Sequence, residues 1–135
     1  MPLHRLDHVN LRTENLDRTV EFYGRVLGLK PGPRPAFPFP GAWLYTGDQA
    51  VVHLVGVENT PPDYQEDQRL EHFALSATDL AGFLAHLRAE NVPYWCRVLP
   101  TIAIQQVNIL DCDGNHLHID FAADEKADLT EFPGR

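Results

Sequence analysis

The sequence predicts an α+β fold built from two tandem copies of one βαβββ module. The order strand, helix and three strands occurs twice, and a polar segment at residues 58–68, ENTPPDYQEDQ, separates the two occurrences. A fixed shift of the first half onto the second places Leu6-Asp7-His8 on Leu70-Glu71-His72. A shift one residue longer places His53 on His118. A chain of 135 residues is long enough for one compact domain or for two small fused modules.

The first module is expected at residues 1–57. Alternating residues over 3–13 predict its first strand. Asn15 is a favourable N-cap for the helix that follows, and Gly28 is expected to end that helix. The remaining elements are a short strand with a proline-rich loop and then two further strands, at residues 31–41, 42–46 and 50–55.

The second module is expected at residues 69–122, after a linker at 58–68, and a charged tail follows at 123–135. Its predicted elements repeat the order of the first module, at residues 69–76, 79–90, 94–98, 103–110 and 115–121. The tail is expected to be partly disordered or to lie against a partner subunit.

Four of the seven histidines are related by the repeat, namely His8, His53, His72 and His118. Two similar modules that pack about a pseudo-twofold axis bring equivalent positions face to face, so the two pairs should meet near that axis. Rigid strands hold metal ligands at fixed distances. The pattern therefore predicts one divalent cation bound by these four side chains. His116 shares the face of His118 by strand alternation but has no image in the repeat.

Strand alternation also places other side chains beside the proposed ligands. Asp120 lies two residues from His118 on the same face, where it either orients the imidazole or acts as a general base. The proline-rich loop at 31–40 is expected to rim the pocket. The expected substrate-binding residues point inward from the strands, and they are Asn10, Trp43, Tyr45, Gln106 and Asn108.

Four segments carry a family resemblance: LDHVNL, EFYGRVLGLKP, LEHFAL and ILDCDGNHLHIDF. They resemble the vicinal oxygen chelate superfamily, which includes glyoxalase, bleomycin resistance and extradiol dioxygenase proteins, and they extend over about residues 4–122. The last segment is the most specific, because its Asp-x-Asp-Gly-Asn turn leads directly into the final ligand strand. The resemblance implies paired βαβββ modules whose curved mixed sheets enclose a metal-binding cup.

The resemblance further implies a glyoxalase-like enzyme, a metal-dependent lyase or isomerase whose small substrate chelates through adjacent oxygens. The sequence departs from the family pattern at two positions. The family's closing motif usually has Glu where His118 stands, and glyoxalase I commonly has Glu at the position of His53. A metal-bound neutral imidazole is a poor base. Two alternatives therefore stay open, an Fe(II)-dependent dioxygenase and a non-catalytic small-ligand-binding or resistance protein.

Four neutral imidazoles favour a borderline transition metal over Mg²⁺ or Ca²⁺. The expected cofactor is one such divalent ion: Zn, Ni, Co, Fe or Mn. Its uncompensated charge should strengthen binding of anionic oxygens and lower the pKa of a bound water. A tetrahedral zinc with four histidines would be closed and therefore structural. Catalysis needs a larger coordination sphere or a ligand that detaches. The role of His53 therefore has two alternatives: it binds the cation directly, or it lies just outside the ligand set.

Charge and composition restrict the partners and the compartment. The net charge of −8, with scattered Lys and Arg, argues against nucleic acid or an anionic membrane as partner. No stretch approaches the roughly 18 apolar residues that span a bilayer. The start of the chain lacks the apolar run of a secretory signal, so a cytoplasmic protein is expected. The resemblance implies a small-molecule substrate and a homodimer.

Overall fold

The computed structural model describes residues 2–59, 61–62 and 68–135. It divides into two compact units, Met1–Pro62 and Asp63–Arg135. Each unit contains one helix and one four-stranded mixed sheet, which confirms the predicted α+β fold of paired βαβββ modules. The predicted module limits stay predictions, because most of the proposed linker at 58–68 lies outside the described residues. The metal-binding cup also stays a prediction.

The first unit contains β1 (Val9–Thr13), α1 (Leu16–Leu27), β2 (Lys30–Gly32), β3 (Gly41–Thr46) and β4 (Gln49–Gly56). The second contains β5 (Phe73–Ser76), α2 (Leu80–Ala89), β6 (Trp95–Leu99), a 3-10 turn (Pro100–Ile102), β7 (Ile104–Leu110) and β8 (His116–Ala122).

The two sheets have the same topology. The strand order is β1-β4-β3-β2 in the first sheet and β5-β8-β7-β6 in the second. In each sheet the first and last strands of the module pair in parallel, and the other pairs are antiparallel. The helix between the first and second strands provides the crossover that a parallel pair requires.

Helix α1 has the predicted capping residues. The Asn15 side chain accepts a hydrogen bond from the Arg18 N–H, with 3.1 Å between Oδ1 and N. Gly28 ends the helix at φ 71°, in the left-handed region that glycine adopts without steric cost. Helix α1 buries its apolar face against β3 and β4, and the fully or almost fully buried side chains of this core are Tyr23, Val26, Leu44, Val52 and Leu54.

The second module has an equivalent core between α2 and its sheet. The Phe83 ring packs on the Phe121 ring of β8, with 5.6 Å between centroids. Alternate residues of β8 therefore differ in their environment, because one face packs into this core and the other carries His116, His118 and Asp120. The most buried apolar side chains are Leu80, Leu84, Leu87, Val107, Ile109 and Leu117.

The first strand of each module is shorter than predicted. Strand β1 begins at Val9, not at residue 3, and β5 begins at Phe73, not at residue 69. In the second sheet the parallel register explains the difference, because Phe73 pairs with Leu117 and β8 begins only at His116. His8 and His72 consequently stand immediately before their strands.

The C-terminal tail packs against its own unit. Phe132 and Tyr94 exchange two backbone hydrogen bonds, with N–O distances of 2.9 and 3.1 Å, and their ring centroids lie 5.8 Å apart. The Glu125 carboxylate accepts from the Leu80 N–H at 2.8 Å and so stabilises the N-terminus of α2. Within the described part of the chain, no helix has the length and apolar composition needed to cross a membrane.

Two glycines of α1 should respond in opposite directions to replacement by alanine. Gly28→Ala forces a side chain into the left-handed region and should lower the free energy of unfolding by about 1–2 kcal/mol. Gly24→Ala lies inside the helix, where the nearest backbone atom to an added Cβ is 3.5 Å away, and should raise it by about 0.5–1 kcal/mol. Urea denaturation measures both. A Gly28→Ala variant as stable as the wild type would contradict the capping assignment.

Candidate metal centre

The first module places two of the predicted ligands side by side. Asn10 of β1 pairs with His53 of β4, and His8 stands two residues before Asn10. The rings of His8 and His53 are stacked, with 3.7 Å between centroids and 11° between planes. The Trp43 ring stacks on the opposite face of the His53 ring at 4.1 Å. His53 is therefore held between two rings, which fixes its orientation.

The second module repeats this arrangement. Ala74 of β5 pairs with His118 of β8, and His72 stands two residues before Ala74. The ring centroids of His72 and His118 lie 4.5 Å apart at 45°. The spacing along the strand and the parallel register are thus the same as in the first module. Each module therefore brings its own two predicted ligands together, His8 with His53 and His72 with His118. That all four bind one cation stays a prediction.

An open cavity of about 740 Å³ lies within the first unit. His53 and Trp43 line it, and the proline-rich loop contributes to its wall. In that loop the Arg34 guanidinium lies 5.0 Å from the ring centroid of Phe37 and 5.1 Å from that of Phe39. Arg34 also donates to the Phe39 carbonyl at 3.0 Å. The cavity combines flat aromatic walls with charged side chains of both signs, Arg5 and Arg34 with Asp7 and Asp48, a combination that suits a small polar ligand with an apolar part.

Three of the four histidines pair their Nδ1 atom with a carboxylate. His118 Nδ1 lies 2.7 Å from an Asp120 oxygen, and His8 Nδ1 lies 2.8 Å from an Asp7 oxygen. His72 Nδ1 is hydrogen-bonded to Glu71. A carboxylate oxygen accepts, so the ring proton lies on Nδ1, and Nε2 keeps its lone pair when the ring is neutral.

This pairing is the one that metal-binding histidines usually show, because the carboxylate fixes the tautomer and increases the basicity of the free nitrogen. Asp7 and Glu71 occupy equivalent positions of the repeat, one residue before His8 and His72. The residues present therefore fit a transition-metal ion bound through histidine Nε2 atoms.

Burial affects the charge state of two of these side chains. Burial is the main cause of a lowered pKa for His118, and the Asp120 carboxylate opposes that effect. Burial also lowers the pKa of His53, and the nearby positive charge that His8 can carry lowers it further. Both rings are consequently held in the neutral form, which is the form that binds a metal.

The structure places the other predicted residues as follows. Asn10, Trp43 and Tyr45 line the cavity of the first unit. The Tyr45 hydroxyl donates to the Pro33 carbonyl at 2.5 Å and so ties β3 to the proline-rich loop. In the second unit, Gln106 Nε2 lies 3.5 Å from His118 Nε2. Asn108 pairs with His118 in the strand register, but its side chain is hydrogen-bonded to His116.

Asp7 and Glu71 are neighbours of the proposed ligands that sequence reasoning missed. The repeat contained the signal, since it aligns an acidic residue before each of two proposed ligands. His116 has no image in the repeat, so the repeat alone does not mark it as a ligand. Its alternation with His118 on β8 was the available signal, and the structure places its ring 5.4 Å from the His72 ring.

The repeated modules, each with its two neighbouring histidines, define an α+β fold with two related halves. Residues 5–119 match the model of the Glyoxalase/Bleomycin resistance protein/Dioxygenase superfamily. The chain belongs to this superfamily.

Two relatives match parts of the chain. "Probable lactoylglutathione lyase" of Vibrio cholerae serotype O1 is 32% identical over 89 residues, which are 59% of this chain and 62% of that protein. "Glyoxylase I 4" of Arabidopsis thaliana is 40% identical over 57 residues, which are 40% of this chain and 32% of that protein. The chain therefore covers less than two thirds of the length of both relatives.

A solved structure supports the fold. The glyoxylase/bleomycin resistance protein/dioxygenase domain from Frankia sp. EAN1pec superposes with a TM-score of 0.73 at 19% identity. The match covers 90% of this chain and 99% of that chain. At this identity the similarity establishes the fold alone.

The lowered pKa of His118 predicts how the stability of the metal-free protein depends on pH. The unfolded chain takes up a proton on His118 near pH 6.5, whereas the folded chain takes it up only at lower pH. The unfolded state then binds more protons, so the free energy of unfolding should fall as the pH is lowered from 6.5.

Urea denaturation between about pH 5 and 7 measures this slope. The His118→Gln variant removes the group and should show a shallower slope than the wild type, with the His53 contribution retained. An unchanged slope in His118→Gln would show that burial does not affect the protonation of His118.

Proposed function

We propose that this protein is a metal-dependent glyoxalase-like enzyme of the lyase or isomerase type. Its substrate is a small molecule that binds the cation through two adjacent oxygens. The observation that carries this proposal is the pairing of Nδ1 with a carboxylate in His8, His72 and His118, which leaves the Nε2 atom of each neutral ring without a proton and therefore able to bind a cation. Membership of the superfamily and the similarity to a protein named as a lactoylglutathione lyase support the reaction type.

The proposed ligands are His8, His53, His72 and His118. They suit one divalent transition-metal ion: Zn, Ni, Co, Fe or Mn. When bound, such an ion supplies Lewis-acid stabilisation of an oxyanion that develops on the substrate.

The remaining roles belong to side chains near these ligands. Asp120 accepts a hydrogen bond from the Nδ1–H of His118, which fixes the ring so that Nε2 can face the proposed cation. Because positions 53 and 118 supply imidazoles and not carboxylates, Asp120 is also the proposed general base among the predicted site residues. The proposed substrate contacts are Asn10, Trp43, Tyr45, Gln106 and Asn108.

The cavity of the first unit is the proposed substrate pocket. Trp43 and Tyr45 form its aromatic wall together with the loop residues Phe37 and Phe39. Arg34 would attract an anionic group of the substrate. The flat walls exclude water from one side of a bound substrate, which strengthens its electrostatic contacts.

We also propose that the protein is cytoplasmic and, on the basis of the family resemblance, that it is a homodimer. Light scattering on the purified protein tests the dimer through its molar mass. A monomer over the full concentration range would be contrary to this proposal.

Metal content tests the proposed centre directly. Elemental analysis after loading with Zn²⁺ should give about one equivalent per chain for the wild type, and less than about a tenth in His72→Ala after passage over a weak chelator. His4→Ala and His86→Ala are matched controls, since neither belongs to a repeat-related pair, and should retain the metal. A wild type without bound metal after loading would overturn the proposal.

Asp120→Asn tests the orienting carboxylate. An asparagine can present its amide nitrogen to His118 Nδ1 and so favour the wrong tautomer, which should weaken Zn²⁺ binding by roughly 10–100-fold. Asp124→Asn is the control because Asp124 is exposed and lies beyond the end of β8. Competition with a chromophoric chelator measures the dissociation constants. Equal affinities of the two variants would show that Asp120 does not orient the ligand.

Activity assays separate the proposed reaction from its alternatives. The metal-loaded protein should isomerise the hemithioacetal of glutathione and a 2-oxoaldehyde, or a related chelating substrate, with loss of activity in EDTA. Oxygen consumption with catechols and Fe²⁺ would instead identify a dioxygenase. Tight ligand binding with no turnover would identify a binding or resistance protein.

A further inference from the structure

The second module contains a cluster of ligand-type side chains that the proposed four-histidine centre does not explain. Glu71, His72 and His116 each bring one ligand atom to within 4.8 Å of the others. One oxygen of Glu71 is hydrogen-bonded to His72 Nδ1, and the other lies 3.2 Å from His116 Nδ1. The carboxylate therefore stands between the two imidazoles.

His116 is fixed in position by groups outside this cluster. The Asn108 amide nitrogen lies 3.5 Å from the Trp95 carbonyl, which directs the amide oxygen toward His116. That oxygen lies 2.9 Å from His116 Nε2. The Trp95 ring stacks on the His116 ring at 5.4 Å, and the His116 side chain is only 10% exposed. The ring is thus immobilised before any ligand arrives.

The hydrogen bond to Asn108 determines which nitrogen of His116 can bind a cation. An amide oxygen only accepts, so the proton lies on Nε2. In the neutral ring Nδ1 then directs its lone pair at a Glu71 oxygen. Two lone pairs that face each other repel unless a proton or a cation lies between them. Metal-binding histidines commonly donate their second ring N–H to a carbonyl-type oxygen, as His116 does to Asn108.

We infer that Glu71, His72 and His116 form a cation site within the second module alone. Two imidazoles and one carboxylate are the ligand set of many divalent transition-metal sites with open positions for water or substrate, and they suit Fe²⁺, Zn²⁺ or Co²⁺. The carboxylate offsets one unit of the cation's charge, which four neutral imidazoles do not. Nothing in this site depends on His8, His53 or His118.

This site goes beyond the proposed function but shares His72 with it. A neutral imidazole has one lone pair on its ring nitrogens, so His72 serves one site at a time. A test must therefore remove the four-histidine centre first. His116 and His118 offer a matched comparison, because both lie on the same face of β8. His116 belongs only to the second-module site, and His118 belongs only to the four-histidine centre.

The experiment begins from a His8→Ala/His53→Gln variant of the full chain, which lacks half of the four-histidine set. Calorimetric titration with Zn²⁺ and visible absorption with Co²⁺ should still show about one site per chain. Adding His116→Gln or Glu71→Gln to this background should weaken binding at least 10-fold, whereas adding His118→Gln should change it less than about 3-fold.

Three results would overturn the inference: a background variant that binds neither ion, a loss caused by His118→Gln in place of His116→Gln, or equal binding with and without Glu71. The second result would support the four-histidine centre. The first and third results do not bear on that centre, which the metal content of the wild type tests separately. The two proposals can therefore fail separately. A Glu71–His116 ion pair without metal affinity corresponds to the first result.

Circular dichroism confirms that each variant is folded before titration. If the background variant does not fold, nitrogen-15 spectra of the wild-type imidazoles provide the second measurement. Added Zn²⁺ should shift the His116 resonances, which are assigned from their loss in His116→Gln. Resonances of His116 that stay unchanged while Zn²⁺ binds would likewise overturn the inference.

Discussion

The parallel pairing of the first and last strands in each module is the interaction on which the rest of the site depends. This pairing fixes the register, so that Asn10 lies beside His53 and Ala74 beside His118. A histidine two residues before each of those positions then reaches its partner's ring. A slip of one residue would turn one ring of each pair toward the helix. The helix between the strands is therefore a requirement of the site as well as of the core, because a parallel pair needs a crossover connection.

Carboxylates provide the second level of organisation. Asp7, Glu71 and Asp120 each accept from the Nδ1 atom of a neighbouring histidine. Each is one or two residues from its imidazole, so backbone geometry alone keeps the two groups close. This arrangement costs little conformational entropy, because no distant segment has to be ordered to supply the partner. Among these three histidines His118 is the buried one, and burial lowers its pKa. Its tautomer and its charge state therefore both favour metal binding.

The sequence predicted more of the fold than of the site. Alternation, the Asn15 cap and Gly28 identified the elements because these signals are local. The start of β5 could not be predicted, since it depends on where the partner strand β8 begins. The repeat identified the histidine pairs, but it gave no weight to His116, whose contacts with Glu71 and Asn108 join segments distant in the chain. His116 has no counterpart in the first module, so the comparison of the two halves does not point to it.

The replacement of the family's glutamates by His53 and His118 has a consequence for charge. In the proposed centre all four ligands are neutral imidazoles, and three carboxylates lie one side chain further out. Negative charge at that distance would offset only part of the cation's charge, without occupying a coordination position. Ligand positions are then determined by imidazoles, and the anionic groups remain available to hold protons. A centre of this kind should favour anionic oxygen ligands more strongly than one with directly bound glutamates, since less of the cation's charge is already neutralised.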